Sequence, residues 1–460
     1  MNLPRITIAG PYSGVGKTSI SVGLMGALKK RGLKVQAFKI GPDYIDPSHH
    51  SVMLNRPSRN LDAWMVHQDG ILEIFQRATQ DVDIAVIEGV MGLFDGFDES
   101  NENGSTAHIA KLLKSPVILV INVHGMAKSV APIALGYEKY DRNVRLSGFI
   151  LNEVGSEKHI DWCKKAINSV TKLPVLGALP HNKDIEMQER HLGLIPQREK
   201  AHPKPFLDML TNFIEENVDV DRIIDIARSA EDLPKSSNIV YPKRPYKKNL
   251  IVGVALDESF NFYYQDNLDL LRAYGADIRF FNTIKDKEIP SDVSGLYIGG
   301  GFPEMLPERL GANTSMLKSV KRVAEDEMPI YAECGGLMYL TDSITDFENR
   351  SHKMVGLLNS RTVMTRGLTL NYTLAEVIAD NPLSKVNDLL KGHEFHYSKI
   401  LEIPRDARFA YRMRIGIGID GKHDAWLEHK ALASYMHMHF AYQPKLVKNF
   451  LSACEDYSHS

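Results

Sequence analysis

Arg5-Ile6-Thr7-Ile8-Ala9-Gly10-Pro11-Tyr12-Ser13-Gly14-Val15-Gly16-Lys17-Thr18 decides the fold of the first half of the chain. An apolar run ends at Ala9, and a helix-period pattern (Ile20, Val22, Leu24, Met25, Leu28) begins just after Thr18. The order is strand, glycine-rich turn, helix. Gly10, Gly14 and Gly16 allow a sharp turn whose N–H groups point inward, and with the positive end of the following helix they suit a polyphosphate. In such a loop Lys17 reaches the β- and γ-phosphates of a nucleotide and the Thr18 hydroxyl sits on Mg²⁺, with Ser13, Gly14 and Gly16 lining the cradle. The usual spacing puts a glycine where Pro11 stands; here Gly10 lies one residue further back, so the loop is longer.

Outward from this stretch, short β-rich runs alternate with helical patterns. Strands are expected over 6–10, 35–40, 84–89, 117–123, 147–152 and 175–179, which predicts a mainly parallel sheet covered on both faces. Ligands of such sheets sit beyond the carboxyl ends of the strands, where the polar motifs of this half also fall. The second strand runs into Gly41-Pro42-Asp43-Tyr44-Ile45-Asp46-Pro47, read as an irregular loop. Asp43 and Asp46 are either solvated turn residues, or Mg²⁺ ligands and a surface for an acidic organic substrate with Tyr44 between them. Glu88 closes a buried strand before Gly89, and Asp95 follows in Gly92-Leu93-Phe94-Asp95-Gly96. A strand-end carboxylate beside a Lys–Thr pair holds or orients Mg²⁺ in phosphate-loop enzymes. Asn152 closes a later strand, as a plain strand end or a purine contact. Arg190 and His191 precede a tight turn, as surface groups or as contacts to substrate carboxylates.

The chain has 460 residues, too many for one core, so two domains are expected. The boundaries are 1–230 for the nucleotide-binding domain, 231–249 for a Pro-, Ser- and Lys-rich linker, and 250–450 for the second domain. A net charge of −2 creates no field that would draw the chain to nucleic acid or acidic lipid. Three cysteines make no disulfide framework and fit a reducing cytoplasm. No apolar run approaches the ~20 residues that span a bilayer, and no signal stretch follows Met1, so a cytoplasmic location is expected.

The strand–helix pattern restarts after residue 250. Gly299-Gly300-Gly301 follows one strand, and Glu333-Cys334-Gly335-Gly336 follows another, with Leu337, Met338 and Leu340 in helical spacing behind it. A nucleophile at a strand-to-helix turn is exposed, and a helix N-terminus lowers a thiol's pKa. The Gly335 N–H, helped by Gly300 in the glycine turn, forms an oxyanion hole. A thiol nucleophile needs a base, and His437 or His439 lies about a hundred residues downstream, as a distant partner should; His393 and His396 are further candidates. The scattered histidines and single cysteine lack the spacing of a zinc site.

At this point both halves resemble one family. Gly-Gly-Gly-Phe-Pro-Glu, Glu-Cys-Gly-Gly and Tyr-Met-His-Met-His-Phe are similar to the motifs of a class I glutamine amidotransferase domain, which is flavodoxin-like. The loop at 13–18, the Gly-Pro-Asp-Tyr-Ile-Asp-Pro stretch, the run 88–96 and Arg190-His191-Leu192-Gly193-Leu194 resemble the dethiobiotin-synthetase-like domain of the cobyrinic acid a,c-diamide synthases. The resemblance implies two three-layer α/β domains, the first a phosphate-loop parallel sheet. It implies that ATP phosphorylates the a and c acetate carboxylates of a tetrapyrrole, and that ammonia from L-glutamine displaces phosphate, in cobalamin biosynthesis. It also implies Cys334 as nucleophile, His437 as its activator, and Asp43, Asp46, Glu88 and Asp95 as groups serving Mg²⁺, acyl-phosphate formation or substrate. Many class I glutaminases carry Glu two residues after the catalytic His, where His439 stands here. A related branch amidates nickel sirohydrochlorin at the same acetates in methane-producing archaea, and the motifs do not separate the two substrates. A phosphate-loop switch ATPase is a different class; it carries an additional lysine early in the loop, where this chain has Pro11 and Tyr12. A homodimer is compatible with the sequence and not specified by it.

Overall fold

The computed structural model describes residues 2–97, 103–185, 189–190, 193–194, 204–246 and 250–459. The chain divides into two compact units, Met1–Ser237 and Asn238–Ser460.

In the first unit β1 (Arg5–Ala9), β2 (Val35–Ile40), β3 (Arg59–Leu61), β4 (Ile84–Glu88), β5 (Val117–Asn122), β6 (Leu146–Val154) and β7 (Val175–Pro180) form one sheet in the order β3-β2-β4-β1-β5-β6-β7. Every pairing in it is parallel. Parallel strands are covered on both faces, and β1, β2 and β4 are buried at every residue. Helices α1 (Lys17–Lys30), α2 (Ile45–Leu54), α3 (Gln68–Ala78), α4 (Thr106–Leu112), α5 (Val130–Tyr140), α6 (Glu157–Asn168), α7 (Lys204–Asn217) and α8 (Val220–Arg228) supply the cover. On one face Ile20, Leu24 and Leu28 of α1 pack with Leu210, Ile214 and Ile223 of α7 and α8. Each such side chain contributes roughly 1.5–3 kcal/mol when fully buried. Gly23 lets α7 approach α1, since a Cβ there would meet the Leu210 carbonyl oxygen at 3.1 Å. On the other face Leu93, Ala107, Val130 and Ile167 cover Leu119 and Leu151. The short strands β8 (Glu189–Arg190) and β9 (Gly193–Leu194) pair antiparallel.

The stretch read as an irregular loop after β2 turns into α2 at Ile45 instead. Asp43 Oδ1 accepts the N–H groups of Ile45 (2.7 Å) and Asp46 (3.3 Å), satisfying two of the donors a helix start leaves open. Pro47 falls in the first turn, where its missing N–H costs nothing.

The second unit holds β10 (Leu250–Ala255), β11 (Ala276–Phe281), β12 (Gly295–Ile298), β13 (Ile330–Glu333), β14 (Thr341–Thr345), β15 (Ser351–Lys353), β16 (Leu358–Val377), β17 (Leu389–Leu401), β18 (Arg408–Ile415), β19 (His423–Glu428), β20 (Ala431–Ser434) and β21 (His437–Met438). Its helices are α9 (Gln265–Ala273), α10 (Pro307–Ala312), α11 (Thr314–Glu325), α12 (Gly335–Leu340) and α13 (Lys445–Ser458). The parallel part, β11-β10-β12-β13-β20, is the flavodoxin-like portion. A largely antiparallel extension runs on through β19, β18 and β16, and β17 pairs with both β16 and β21. The last pairing places His393 opposite His437. No helix among the described residues is long and apolar enough to cross a membrane.

Candidate active sites

The first site gathers at the carboxyl ends of β1, β2, β4 and β6. Gly14 (φ 84°) and Gly16 (φ 96°) are left-handed, a conformation that glycine adopts without strain. Asn152 at the end of β6 donates its side-chain amide to the Val15 carbonyl at 3.0 Å, and a side chain at Gly16 would collide with it. Asn152 thus braces the phosphate loop. Ser13 is exposed on that loop. Lys17 Nζ donates to the Tyr12 and Met91 carbonyls at 2.9 and 2.7 Å. Burial, reinforced by the Lys39 charge, lowers its pKa to about 8 against the pull of Glu88, Asp46 and Asp95.

Thr18 Oγ1 donates to Glu88 Oε1 at 2.7 Å and lies 3.3 Å from Asp46 Oδ2. Between these oxygens stands a residue the sequence reading missed, Lys39. Its ammonium is 2.6 Å from Asp46 Oδ2, 2.9 Å from Glu88 Oε1 and 3.9 Å from Asp43 Oδ2, and it also donates to the Gly89 carbonyl. Burial disfavours the Lys39 charge, but Asp46, Glu88 and Asp43 outweigh it and hold the pKa above the ordinary lysine value. Burial raises Asp46 well above the carboxylate range, with Asp43's charge adding to it. Burial also acts on Glu88, yet Lys39 and the His50 Nε2 hydrogen bond at 2.6 Å overcome it and hold Glu88 low. One signal for Lys39 was available: a lysine inside an apolar, buried strand must find a partner, and the β2–β4 register sets it beside Glu88.

Thr18, Asp46 and Glu88 offer a hydroxyl and two carboxylates, hard oxygens that fit Mg²⁺. Among the described residues no group of three or more His, Cys, Asp or Glu could hold a metal on its own. Asp95 is exposed, and its Oδ2 accepts the Gly92 N–H at 2.9 Å. Tyr44 is buried just before α2. Arg190 contributes only its backbone to the description, paired with Gly193, and His191 lies outside the described residues.

The second site is built around Cys334, in the turn between β13 and α12. Its φ of 48° and ψ of −96° are strained for a residue with a Cβ, as at other nucleophile turns. Its N–H donates to the Ser434 carbonyl at 2.7 Å, tying it to the end of β20, and its Sγ donates to the Phe395 carbonyl of β17 at 3.5 Å. Gly301 N lies 3.2 Å from where a Cβ on Gly335 would stand, so the glycine turn does border the nucleophile turn. At Gly300 of the same turn a Cβ would lie 2.5 Å from His437 Cε1. The turn therefore borders both Gly335 and His437.

His437 is fully buried, with its ring stacked on His393 at 4.8 Å and 17°. Burial, with His396 nearby, lowers its pKa to about 3. The expected lowering of the thiol pKa is reversed. Burial, with the charges of Glu304 and Glu333, holds Cys334 well above the ordinary thiol value, and the Gly335 N–H only partly offsets this. Both shifts favour a protonated thiol and a neutral imidazole at neutral pH. His439 is occupied elsewhere: its Nδ1 accepts the Ala441 N–H at 3.3 Å, and its ring lies 4.7 Å from Tyr264. His396 stacks on Tyr435 at 3.7 Å.

A phosphate-loop sheet joined in one chain to a strained cysteine turn on a glutaminase-type sheet, with a buried histidine on β21 of the same unit, defines a glutamine-dependent amidating ligase. Residues 6–195 match the CobQ/CobB/MinD/ParA nucleotide binding domain, and residues 251–445 match the CobB/CobQ-like glutamine amidotransferase domain. A cobyrinate a,c-diamide synthase of Dehalococcoides mccartyi (strain CBDB1) is 45% identical over 99% of both chains. Synthases of the same name from Methanosarcina barkeri (41%, covering 100% of this chain and 97% of that one) and Archaeoglobus fulgidus (42%, 98% and 97%) are similar at full length. The chain belongs to the cobyrinate a,c-diamide synthase family. Because the similarity runs through both halves, the switch-ATPase reading falls away.

Proposed function

We propose that this chain uses ATP and L-glutamine to amidate the a and c acetate side chains of cobyrinic acid. The observation that supports this reading best is full-length similarity to cobyrinate a,c-diamide synthases, with both candidate sites carrying the required side chains. A carboxylate is a poor electrophile at neutral pH, and phosphorylation gives it a leaving group. Lys17 and the loop N–H groups hold the nucleotide phosphates and stabilise charge as the γ-phosphoryl group moves. Thr18, Asp46 and Glu88 would hold Mg²⁺, which when bound neutralises charge on the transferring phosphates. Asp43, Tyr44, Asp95, Arg190 and His191 orient the tetrapyrrole acid.

In the second unit Cys334, its proton taken by His437, attacks the glutamine carboxamide while Gly335 and the glycine turn stabilise the oxyanion. The ammonia released displaces phosphate from the acyl phosphate. The test is mass spectrometry of products from cobyrinic acid and from nickel sirohydrochlorin, each with ATP, Mg²⁺ and glutamine. A gain of two amide groups on cobyrinic acid is expected; no nitrogen added to it would overturn the reading, and diamidation of the nickel macrocycle alone would move the substrate.

A further inference from the structure

Many class I glutaminases carry a carboxylate two residues after the catalytic histidine, and this chain has His439 at that place, engaged with Ala441 and Tyr264. The structure supplies a carboxylate from another direction. Glu333 is the last residue of β13, directly before the nucleophile, and its side chain is fully buried. Its Oε2 lies 4.0 Å from His437 Nδ1. Three donors fix it: Tyr331 hydroxyl to Oε1 at 2.5 Å, Met438 N–H to Oε1 at 3.0 Å, and Tyr297 hydroxyl to Oε2 at 2.8 Å. Met438 follows His437 on β21, so Glu333 is bonded to the backbone beside the base while its own strand carries the nucleophile.

We propose that Glu333 is the positioning residue of this glutaminase, standing in for the absent downstream carboxylate and opposing the positive charge that His437 acquires during catalysis. The proposal rests on the glutaminase reading above. As His437 takes the Cys334 proton, the thiolate sulfur bonds to the carboxamide carbon, and the imidazolium then returns that proton to the departing nitrogen as the C–N bond breaks. Water hydrolyses the thioester to glutamate and restores the thiol. Through this cycle Glu333 keeps its charge and transfers no proton. A side chain needed only to tie strands would require acceptors, not an acid, and burying an ionisable acid is costly unless the charge is used.

The groups around the pair are accounted for. Tyr297 of β12, Tyr331 of β13 and His437 contact Glu333, and its charge acts on Tyr411 of β18 and Cys334. His393 and His396 of β17 face His437. Burial raises Glu333 to about 7, with Tyr331, Met438 and Tyr297 pulling it down. Because the anion is the active form, glutamine-dependent turnover rises with pH through that region.

The test compares glutamine-dependent and ammonia-dependent amidation by the full chain from pH 6 to 9 in wild type, Glu333→Gln and Tyr331→Phe. Glu333→Gln leaves the base poorly positioned and is expected to lose roughly 100-fold in glutamine-dependent kcat. It should also lose the acid limb near pH 7, while its ammonia-dependent rate stays within about twofold. Tyr331→Phe removes a donor to the carboxylate and should move the limb to higher pH. A Glu333→Gln enzyme with wild-type glutamine turnover and an unchanged limb overturns the proposal. If that variant does not fold, a Tyr331→Phe limb that stays in place overturns it instead. A wild-type enzyme that amidates with ammonia and never with glutamine overturns the glutaminase reading, and this proposal with it.

Discussion

Replacing Lys39 with Met tests whether the first site is held together by charge. Met keeps the length and apolar stem but removes the ammonium, leaving Asp46, Glu88 and Asp43 around a neutral side chain. Breaking a buried ion pair from one side costs about 3–5 kcal/mol, because the remaining charge is desolvated and unpaired. Lys39 is 4% exposed and Glu88 0%, so little of this is screened by solvent. For a unit of this size each kcal/mol moves the melting temperature about 2–4 °C, so a fall of roughly 10 °C is expected in the calorimetric transition of the first unit. The sign with pH can be worked out. In the wild type, Lys39 is raised and Glu88 is held low, so their mutual stabilisation is complete between the carboxylate and lysine ranges and flat across neutrality. Asp46 is already raised in the wild type, and without the cation Glu88 joins it in titrating higher folded than unfolded. Protonating them then favours the folded state, so the deficit should be largest near pH 8 and shrink towards pH 5. Added Mg²⁺ should recover more of the melting temperature in the variant than in the wild type, because the same oxygens suit a hard cation. A variant melting within 2 °C of wild type, on the order of a single surface substitution, would refute the reasoning.

Cys334→Ser should abolish glutamine-dependent amidation and spare amidation with added ammonia, whereas Lys17→Ala should stop both; steady-state rates with the two nitrogen sources check this, and loss of ammonia-dependent turnover in the cysteine variant would contradict the division of labour. Gly300→Ala places a methyl carbon 2.5 Å from His437 Cε1 and 3.4 Å from Nδ1, displacing the base. A misplaced base of this kind costs about 10²-fold in rate, so glutamine-dependent kcat should fall by that order while the ammonia rate holds. An unchanged ratio of the two rates would show that the ring has room to move.

Much of the first unit was legible because parallel strands are covered on both faces and read as unbroken apolar runs. β3 escaped because Arg59-Asn60-Leu61 is short and two-thirds polar, with nothing to set it apart from a loop. The extension of the second sheet escaped for another reason. β16 alternates buried and more exposed residues only at its two ends, 358–364 and 373–377, with no buried residue between them, so it gives no compact apolar signal. At the sites, motif residues were legible and their partners were not. Lys39 lies in an expected strand and Glu333 in a quoted motif, yet their roles depend on strand register, which pairs Lys39 with Glu88 and sets β13 beside β12 and β20. The thiol's direction was misread because the helix-terminus argument ignored burial: α12 is only six residues long, and desolvation dominates.

That reversal carries a consequence for how nitrogen is delivered. A nucleophilic thiol must be a thiolate, yet Cys334 is held well above the ordinary thiol value while His437 is lowered to about 3. Moving the proton between them is unfavourable in this arrangement, and both side chains are buried, Cys334 at 4% and His437 at 0% exposure. A glutaminase resting in this state spends no glutamine until something, substrate binding foremost, changes the surroundings of the pair. Free ammonia is protonated at neutral pH, so idle hydrolysis would waste nitrogen in a form that cannot attack an acyl phosphate. Cys334 in the enzyme alone should therefore react with iodoacetamide at pH 8 at least about tenfold more slowly than an ordinary exposed thiol, and glutamine hydrolysis without ATP and tetrapyrrole should be correspondingly slow. Saturating glutamine, ATP and the macrocyclic acid together should raise it. Rapid stoichiometric alkylation of Cys334 at pH 7, followed by mass spectrometry of the labelled peptide, would show that the thiolate is already formed and that the neutral pair is not the resting state.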